Sequence, residues 1–253
     1  NLSDSGPEAF KDVRVRQALA LAVDRKIITE NVLAGGQPEA YTFTPAAVAG
    51  FTPPATDMEG MTQEERNAKA VELMAEAGYG PDNPLTFDMI YNTSEAHNKI
   101  AVAMSQMWKQ TLGVEATLAN LEWKVFLETR GNQDFELARG AWCGDYNEAS
   151  TFLDLLDSNS GYNDGKYNNA ALDGLLADAK MSTDASDLYT QVEGIIAEEM
   201  RKAKERAERS SLENEAIELG LVSGKDYSRR TSNKALKKLI DKTRTAKGLD
   251  VRD

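Results

Sequence analysis

Between residues 85 and 142, three short runs alternate apolar and polar side chains, and a helical period separates each from the next. The first run, 85–91, places Leu85, Phe87, Met89 and Tyr91 on one face. The second covers 114–121 and the third 135–142. Between the first two, residues 95–112 carry Ile100, Ala103, Met104, Met107 and Trp108 at helical spacing, and Gly113 ends the segment. A shorter helix, 122–129, precedes the third run. Period 2 giving way repeatedly to period 3.6 restricts the chain to an α/β architecture. The expectation is a small mixed sheet flanked by helices.

The flanks supply helix punctuation. Asp12 and Asp24 stand where N-caps are needed for helices over 13–23 and 25–33, the second stopping at Gly35 and Gly36. Thr62 with Glu65 three residues on is a capping-box pattern for a helix that ends near Gly78, and Ser94 is placed to cap the 95–112 helix. Residues 37–59 are rich in Pro, Thr and Gly without a period, as binding or covering loops often are. After Asp145 the sequence predicts a helical turn over 150–156, a polar loop to 169, and helices over 170–180 and from 185 onward.

Composition removes several function classes. No run approaches the roughly 18 apolar residues of a membrane span, so no membrane insertion is expected. The polar start, Asn1 to Pro7, has neither a basic nor an apolar leader segment; a secretory signal is expected to have been removed or to lie outside this chain. A lone cysteine, Cys143, excludes an internal disulfide and a cysteine-based zinc cluster. With His97 as the one histidine, a histidine triad or His-rich metal site has no material. Gly-x-Ser-x-Gly, phosphate-loop and His-Glu-x-x-His patterns are absent, so neither an enzyme nor a cofactor is expected.

The most chemically dense stretch is 135–148, where Arg139, Trp142, Cys143, Asp145 and Tyr146 follow one another at the end of a strand-like run. By alternation Arg139, Ala141 and Cys143 share a face. Locally, two readings of Asp145 stand side by side: a carboxylate that caps its own turn, or one presented to a ligand. Trp142 on the same local grounds reads as core before ligand platform, and His97 as an exposed or capping residue at a helix start.

Several separated motifs resemble, in order and spacing, the bacterial periplasmic oligopeptide-binding proteins, the substrate-binding components of peptide ABC importers. They are Asp12-Val13-Arg14-Val15-Arg16-Gln17-Ala18-Leu19, Pro84-Leu85-Thr86-Phe87 leading into Tyr91-Asn92-Thr93-Ser94, Leu112-Gly113-Val114-Glu115, Glu122-Trp123-Lys124, and the run from Ala138 to Glu148. The resemblance covers about 10–200 and implies one lobe, from the C-terminal half, of a two-lobed fold that closes over an extended peptide. It implies that Asp145 takes the peptide's α-ammonium, that Arg139 and His97 take its carboxylate for certain peptide lengths, and that Trp142 and Cys143 lie in the backbone-pairing segment. Short peptides, a membrane ABC permease and a periplasmic location follow from the same resemblance. Relatives with a cysteine at Cys143 can pair it with one upstream of the matched region, which this chain begins too late to contain. The opposite lobe is not expected here, and binding by the isolated lobe is expected to be weakened.

Past residue 200 the character changes. Residues 201–253 carry 15 Lys and Arg against 9 Asp and Glu, a net +6, whereas the first 200 residues carry 14 against 32, a net −18. No family likeness extends there. The expected organisation is a peptide-binding lobe, 1–200, and a basic helical tail, 201–253, fused or appended from elsewhere. In the tail, 201–209 is expected to form a solvated helix, followed by a short helix over 212–221, an extended stretch over 222–230, and a helix built on Leu236, Leu239 and Ile240. A second reading follows: the tail binds nucleic acid or mediates assembly, with the lobe as carrier.

Overall fold

In a computed structural model, β1 (Thr86–Asn92) forms the centre of a three-stranded sheet, with β2 (Glu115–Leu121) on one side and β3 (Leu137–Ala138) on the other. The structure describes residues 1–223, 225–228 and 231–247; within the long C-terminal helix it gives the backbone but not the side chains of 198–208, 210 and 211. The α/β class is as expected. The sheet, however, is parallel throughout rather than mixed: Thr86 pairs with Glu115 through Asn92 with Leu121, and Met89 and Ile90 pair with Leu137 and Ala138. The physical reason is the connections. A crossover helix, α5 (Glu95–Leu112) or α6 (Trp123–Gly131) in chain order, returns the chain to the same end before each new strand.

The third strand is also shorter than its alternation suggested. After Ala138, the Arg139 amide still donates to the Ile90 carbonyl at 2.9 Å. Beyond it the chain makes no further pairing with β1, although β1 itself runs on to Asn92, and residues 140–144 belong to no strand. At the other end, the Glu136 carboxylate accepts the Asp88 amide at 2.6 Å, fastening β3 onto β1.

Upstream lie α1 (Glu8–Lys11), α2 (Val13–Leu21), α3 (Arg25–Ile27) continued by a π-helix (Ile28–Leu33), and α4 (Gln63–Glu76). Asp12 caps α2 through the Arg14 amide, Asp24 caps α3 through the Ile27 amide, and the Thr62–Glu65 capping box is complete. Ser94 makes no side-chain cap on α5, contrary to its sequence signal. The buried face of α5 is Ala101, Ser105, Trp108 and Leu112, rotated from the expected stripe, so Ile100, Met104 and Met107 are only half-buried.

Three side chains from separate elements complete the end of α2, whose last carbonyls have no helical partners. Trp108 Nε1 donates to Leu19 at 2.8 Å, an Arg25 guanidinium nitrogen to Ala20 at 3.2 Å, and Gln63 Nε2 to Leu21 at 3.0 Å. The Trp108 ring meets Phe87 edge-on at 5.6 Å, and Phe87 meets Phe10 at 5.2 Å. This aromatic line ties α1, β1 and α5 into one core.

After the sheet come α7 (Ser150–Leu153), a 3-10 turn (Asp154–Leu156), α8 (Ala170–Met181), α9 (Ser186–Glu218) and α10 (Asn233–Ala246). A second core gathers Leu153, Leu172, Leu176, Tyr189 and Val192 with Val48 and Phe51 from the long loop. The 37–61 segment is therefore anchored by its own apolar residues. No described helix is long and apolar enough to cross a membrane.

Two compact units divide at Asn1–Met200 and Arg201–Asp253. The backbone of α9 is helical without a break from Ser186 to Glu218, where a separate helix over 212–221 was expected. The expected solvation of 201–209 lies outside the described side chains except at Arg209, which is half-buried. Arg209 bonds Glu213 at 2.6 Å, the Ser228 carbonyl at 2.9 Å and the Thr231 carbonyl. Leu212, Ala216, Leu219, Tyr227, Leu236 and Ile240 form a small core within the second unit, and Ser232 caps α10. Of the expected extended stretch, Gly224, Arg229 and Arg230 lie outside the described residues.

Candidate functional site

All three parallel strands deliver their carboxyl ends to one edge of the sheet, which is where open α/β sheets bind ligands. His97 follows β1 in the first turn of α5, Trp123 follows β2 at the start of α6, and residues 139–145 follow β3. Four of the five residues singled out from sequence, Arg139, Trp142, Cys143 and Asp145, thus belong to one continuous segment. His97 shares their edge of the sheet but hydrogen-bonds to none of them.

Backbone chemistry distinguishes this segment. Among the described residues, no amide or carbonyl of 140–144 takes part in a hydrogen bond with the protein. Gly140, Ala141, Cys143 and Gly144 are exposed. An extended ligand can pair with such a stretch by adding a strand. Gly144 has little room of its own, because a Cβ there would stand 3.0 Å from Phe152 and 3.1 Å from Thr151.

Asp145 is exposed, and its carboxylate has no hydrogen bond or ion pair among the described residues. Its amide donates to Thr151 Oγ1 at 3.0 Å, so the main chain is held while the charge is left free. This geometry does not support a turn cap made by the Asp145 side chain. Trp142 is half-buried, packs its ring on Tyr162 at 5.1 Å, and keeps its buried Nε1 without a partner. Cys143 is a free, exposed thiol. His97 is half-buried with an unpartnered Nδ1.

Arg139 is half-buried, and its one side-chain hydrogen bond is a long one, 3.4 Å to Asn92 Oδ1. Burial, and then the nearby charge of Arg130, lower its guanidinium from the ordinary value. Arg130 itself is paired with Asp164 at 2.6 Å and lies over the Phe126 ring. Two guanidiniums close enough to feel each other, only one of them paired, suit a carboxylate. Sequence reasoning passed over Arg130, which reads as an ordinary basic residue in the last turn of α6. It gave Trp123 no role of its own, although this side chain is 52% exposed at a strand's carboxyl end. A large exposed aromatic just after a strand-like run was the available signal.

Among the described residues, no group of three or more His, Cys, Asp or Glu is arranged to hold a metal ion. The arrangement offers an unpaired backbone, a free carboxylate at one end, and a free cation at the other. It can bind a zwitterionic extended molecule.

The description of bacterial extracellular solute-binding proteins, family 5 Middle, matches residues 1–164. The chain is 49% identical over 177 residues to the periplasmic murein peptide-binding protein MppA of Escherichia coli K12, covering 70% of this chain and 33% of that protein. It is 45% identical over 187 residues to the periplasmic oligopeptide-binding protein OppA of the same strain, covering 73% and 34%. The crystal structure of Haemophilus influenzae OppA in complex with RPPGFSPFR matches with a TM-score of 0.72 at 36% identity, over 77% of this chain and 39% of that one. The chain thus spans about a third of the length of the curated relatives it matches.

Proposed function

We propose that this chain, which belongs to the bacterial extracellular solute-binding proteins of family 5, supplies one wall of a periplasmic cleft that takes short peptides in extended form for ABC-transporter uptake. That family is one of solute binders, not catalysts. The observation that carries the reading is the unpaired backbone of 140–144 between a free Asp145 carboxylate and a loosely held Arg139 guanidinium. Main-chain pairing supplies affinity without regard to side chains, so peptide preference is loose. Asp145 takes the α-ammonium. Arg139 and His97 serve the carboxylate at certain peptide lengths, and Trp142 and Cys143 lie alongside the peptide backbone. The 1–200 unit is the peptide-binding lobe; 201–253 is an appended basic tail.

Binding by this chain alone is weak, because Asp145 faces water here and an exposed ion pair contributes only about 0–1 kcal/mol. The test is calorimetric titration of tri- to pentapeptides into the chain and into Asp145→Ala. A loss of affinity of up to about fivefold is expected. Binding that the substitution leaves untouched would remove Asp145 from the site.

One observation favours a second reading for the tail. On α10, Lys234, Lys237, Lys238 and Lys242 are exposed and free of ion pairs among the described residues. By contrast, Arg244 pairs with Glu215 at 2.5 Å and Lys247 bonds the Leu219 carbonyl at 2.6 Å. Four free lysines on one helix suit a nucleic-acid backbone or an acidic assembly partner. A band-shift salt series on the whole chain discriminates: phosphate contacts predict affinity that falls steeply with salt, and no shift at low salt ends this reading.

A further inference from the structure

We infer that Tyr189 and Glu193, one turn apart on α9, are positioning residues that hold the Asp145 loop ready for a peptide's α-ammonium. The inference rests on the peptide-binding reading above.

Both are nearly inaccessible, Tyr189 at 6% and Glu193 at 1%. Tyr189 OH donates to Glu148 Oε1 at 2.8 Å, and the other Glu148 oxygen accepts Ser150 Oγ at 3.2 Å. Ser150 Oγ in turn meets Tyr146 OH at 3.1 Å. Every residue from 145 to 148 is then held by a hydrogen bond: Asp145 by Thr151, Tyr146 by Ser150, Asn147 by the Ala49 amide at 2.9 Å, and Glu148 by Tyr189.

Glu193 closes the circuit from the other side. Its two carboxylate oxygens accept the Thr44 amide at 2.5 Å and the Phe43 amide at 3.2 Å. That loop continues to Val48 and Phe51, which pack in the core beside Tyr189 and Val192, and to Ala49, which holds Asn147. The path from α9 through Glu148, Asn147, Ala49 and Thr44 returns to α9 four residues on.

Placing a carboxylate at 1% exposure is costly, and an apolar side chain there would serve packing alone at least as well. What a carboxylate adds is a fixed position for two backbone amides. The covering loop is thereby held where it can steady Asn147, and through it the Asp145 turn. The bonds of Tyr189 and Glu193 run to Glu148 and to the 43–44 backbone, so the ring acts through the Asp145 turn.

The test compares trialanine with its N-acetylated form, which lacks the α-ammonium, on the full chain. The wild type is expected to prefer the free amine. Tyr189→Phe keeps the ring and removes the tie, and it should remove half or more of that preference, whose full extent is about fivefold at most, while affinity for the acetylated peptide changes less than about twofold. Equal losses for both peptides, or none for either, would overturn the positioning role. A wild type that binds trialanine but ignores acetylation would instead sink the Asp145 reading.

Amide hydrogen exchange probes the same ring without any peptide. In both Tyr189→Phe and Glu193→Gln, exchange should rise in 145–149 and 42–49 and stay unchanged in β1. Unaltered exchange in both segments, or a rise throughout the unit, overturns the inference.

Discussion

Replacing Trp108 by Phe isolates one hydrogen bond on which the lobe's core depends. Trp108 is 2% exposed, and its indole nitrogen donates at 2.8 Å to Leu19, one of the carbonyls that α2 cannot satisfy by itself. Phenylalanine can keep the edge-on contact with Phe87 but offers no donor. A buried carbonyl left unpaired costs about 1–3 kcal/mol. The smaller ring gives up roughly 1 kcal/mol more of apolar contact. The expected loss is therefore about 2–4 kcal/mol, which lowers the melting midpoint of a domain of this size by about 5–15 °C. Urea unfolding followed by circular dichroism measures it, with an unchanged slope showing that the unfolded state is the same. Trp123→Phe is the control, since this side chain is 52% exposed and its loss should change stability by less than about 0.5 kcal/mol. A cost below about 1 kcal/mol for Trp108→Phe would refute the reasoning: the end of α2 would not need the indole.

Other substitutions probe the caps and the clamp. Asp12→Ala removes the N-cap of α2 and should cost about 1 kcal/mol at pH 7. The Arg14 side chain holds the Asp12 carboxyl below its ordinary value, so its contribution is complete above about pH 4 and disappears as pH falls through the lower folded value. Acid titrations of the two proteins should therefore converge. Burial and the Glu148 contact push the Tyr189 phenol up to about 12, so it stabilises the fold fully below pH 10 and less as pH climbs from there. Alkaline unfolding of Tyr189→Phe should lose that dependence between pH 10 and about 12. Gly113, at φ 68°, ends α5 in the left-handed region, and Gly113→Ala should cost about 1 kcal/mol in thermal unfolding.

Much of the lobe was legible because its signals are local. Asp12, Asp24 and Thr62 each bond an amide two or three residues away, and a sequence displays that relation directly. Ser94 sends the same signal and makes no cap, since the residue type does not fix its side-chain orientation. Alternation over 135–142 speaks only to which side chains share a face. It carries no information on whether two neighbouring backbones stay within reach of each other, and here pairing stops after Arg139 although β1 continues to Asn92. Alternation is equally silent on strand direction, which here follows from the helical crossovers between short strands and is parallel. At the site, Asp145 and Arg139 stood out through their dense surroundings. Arg130 did not, because proximity to Arg139 arises only once α6 is folded back beside β3. Glu193 was invisible for a similar reason: its partners, Phe43 and Thr44, lie about 150 residues earlier, and a glutamate on a helix looks like surface until the loop is seated on it.

The unpaired stretch at 140–144 has a consequence beyond peptides. A backbone that accepts any extended chain does not distinguish a short peptide from a frayed strand of a second copy, and exposed strand edges are where sheet proteins aggregate. Its glycines, at both ends, weaken such pairing but do not prevent it. If an oxidant of an oxidising compartment removed the two thiol hydrogens during such an encounter, the exposed Cys143 of each copy would join in a disulfide-linked dimer. Such dimers should accumulate with protein concentration, be prevented by Cys143→Ser, and become rarer when peptide is present. The opening that would admit a peptide would also have to be kept occupied or covered.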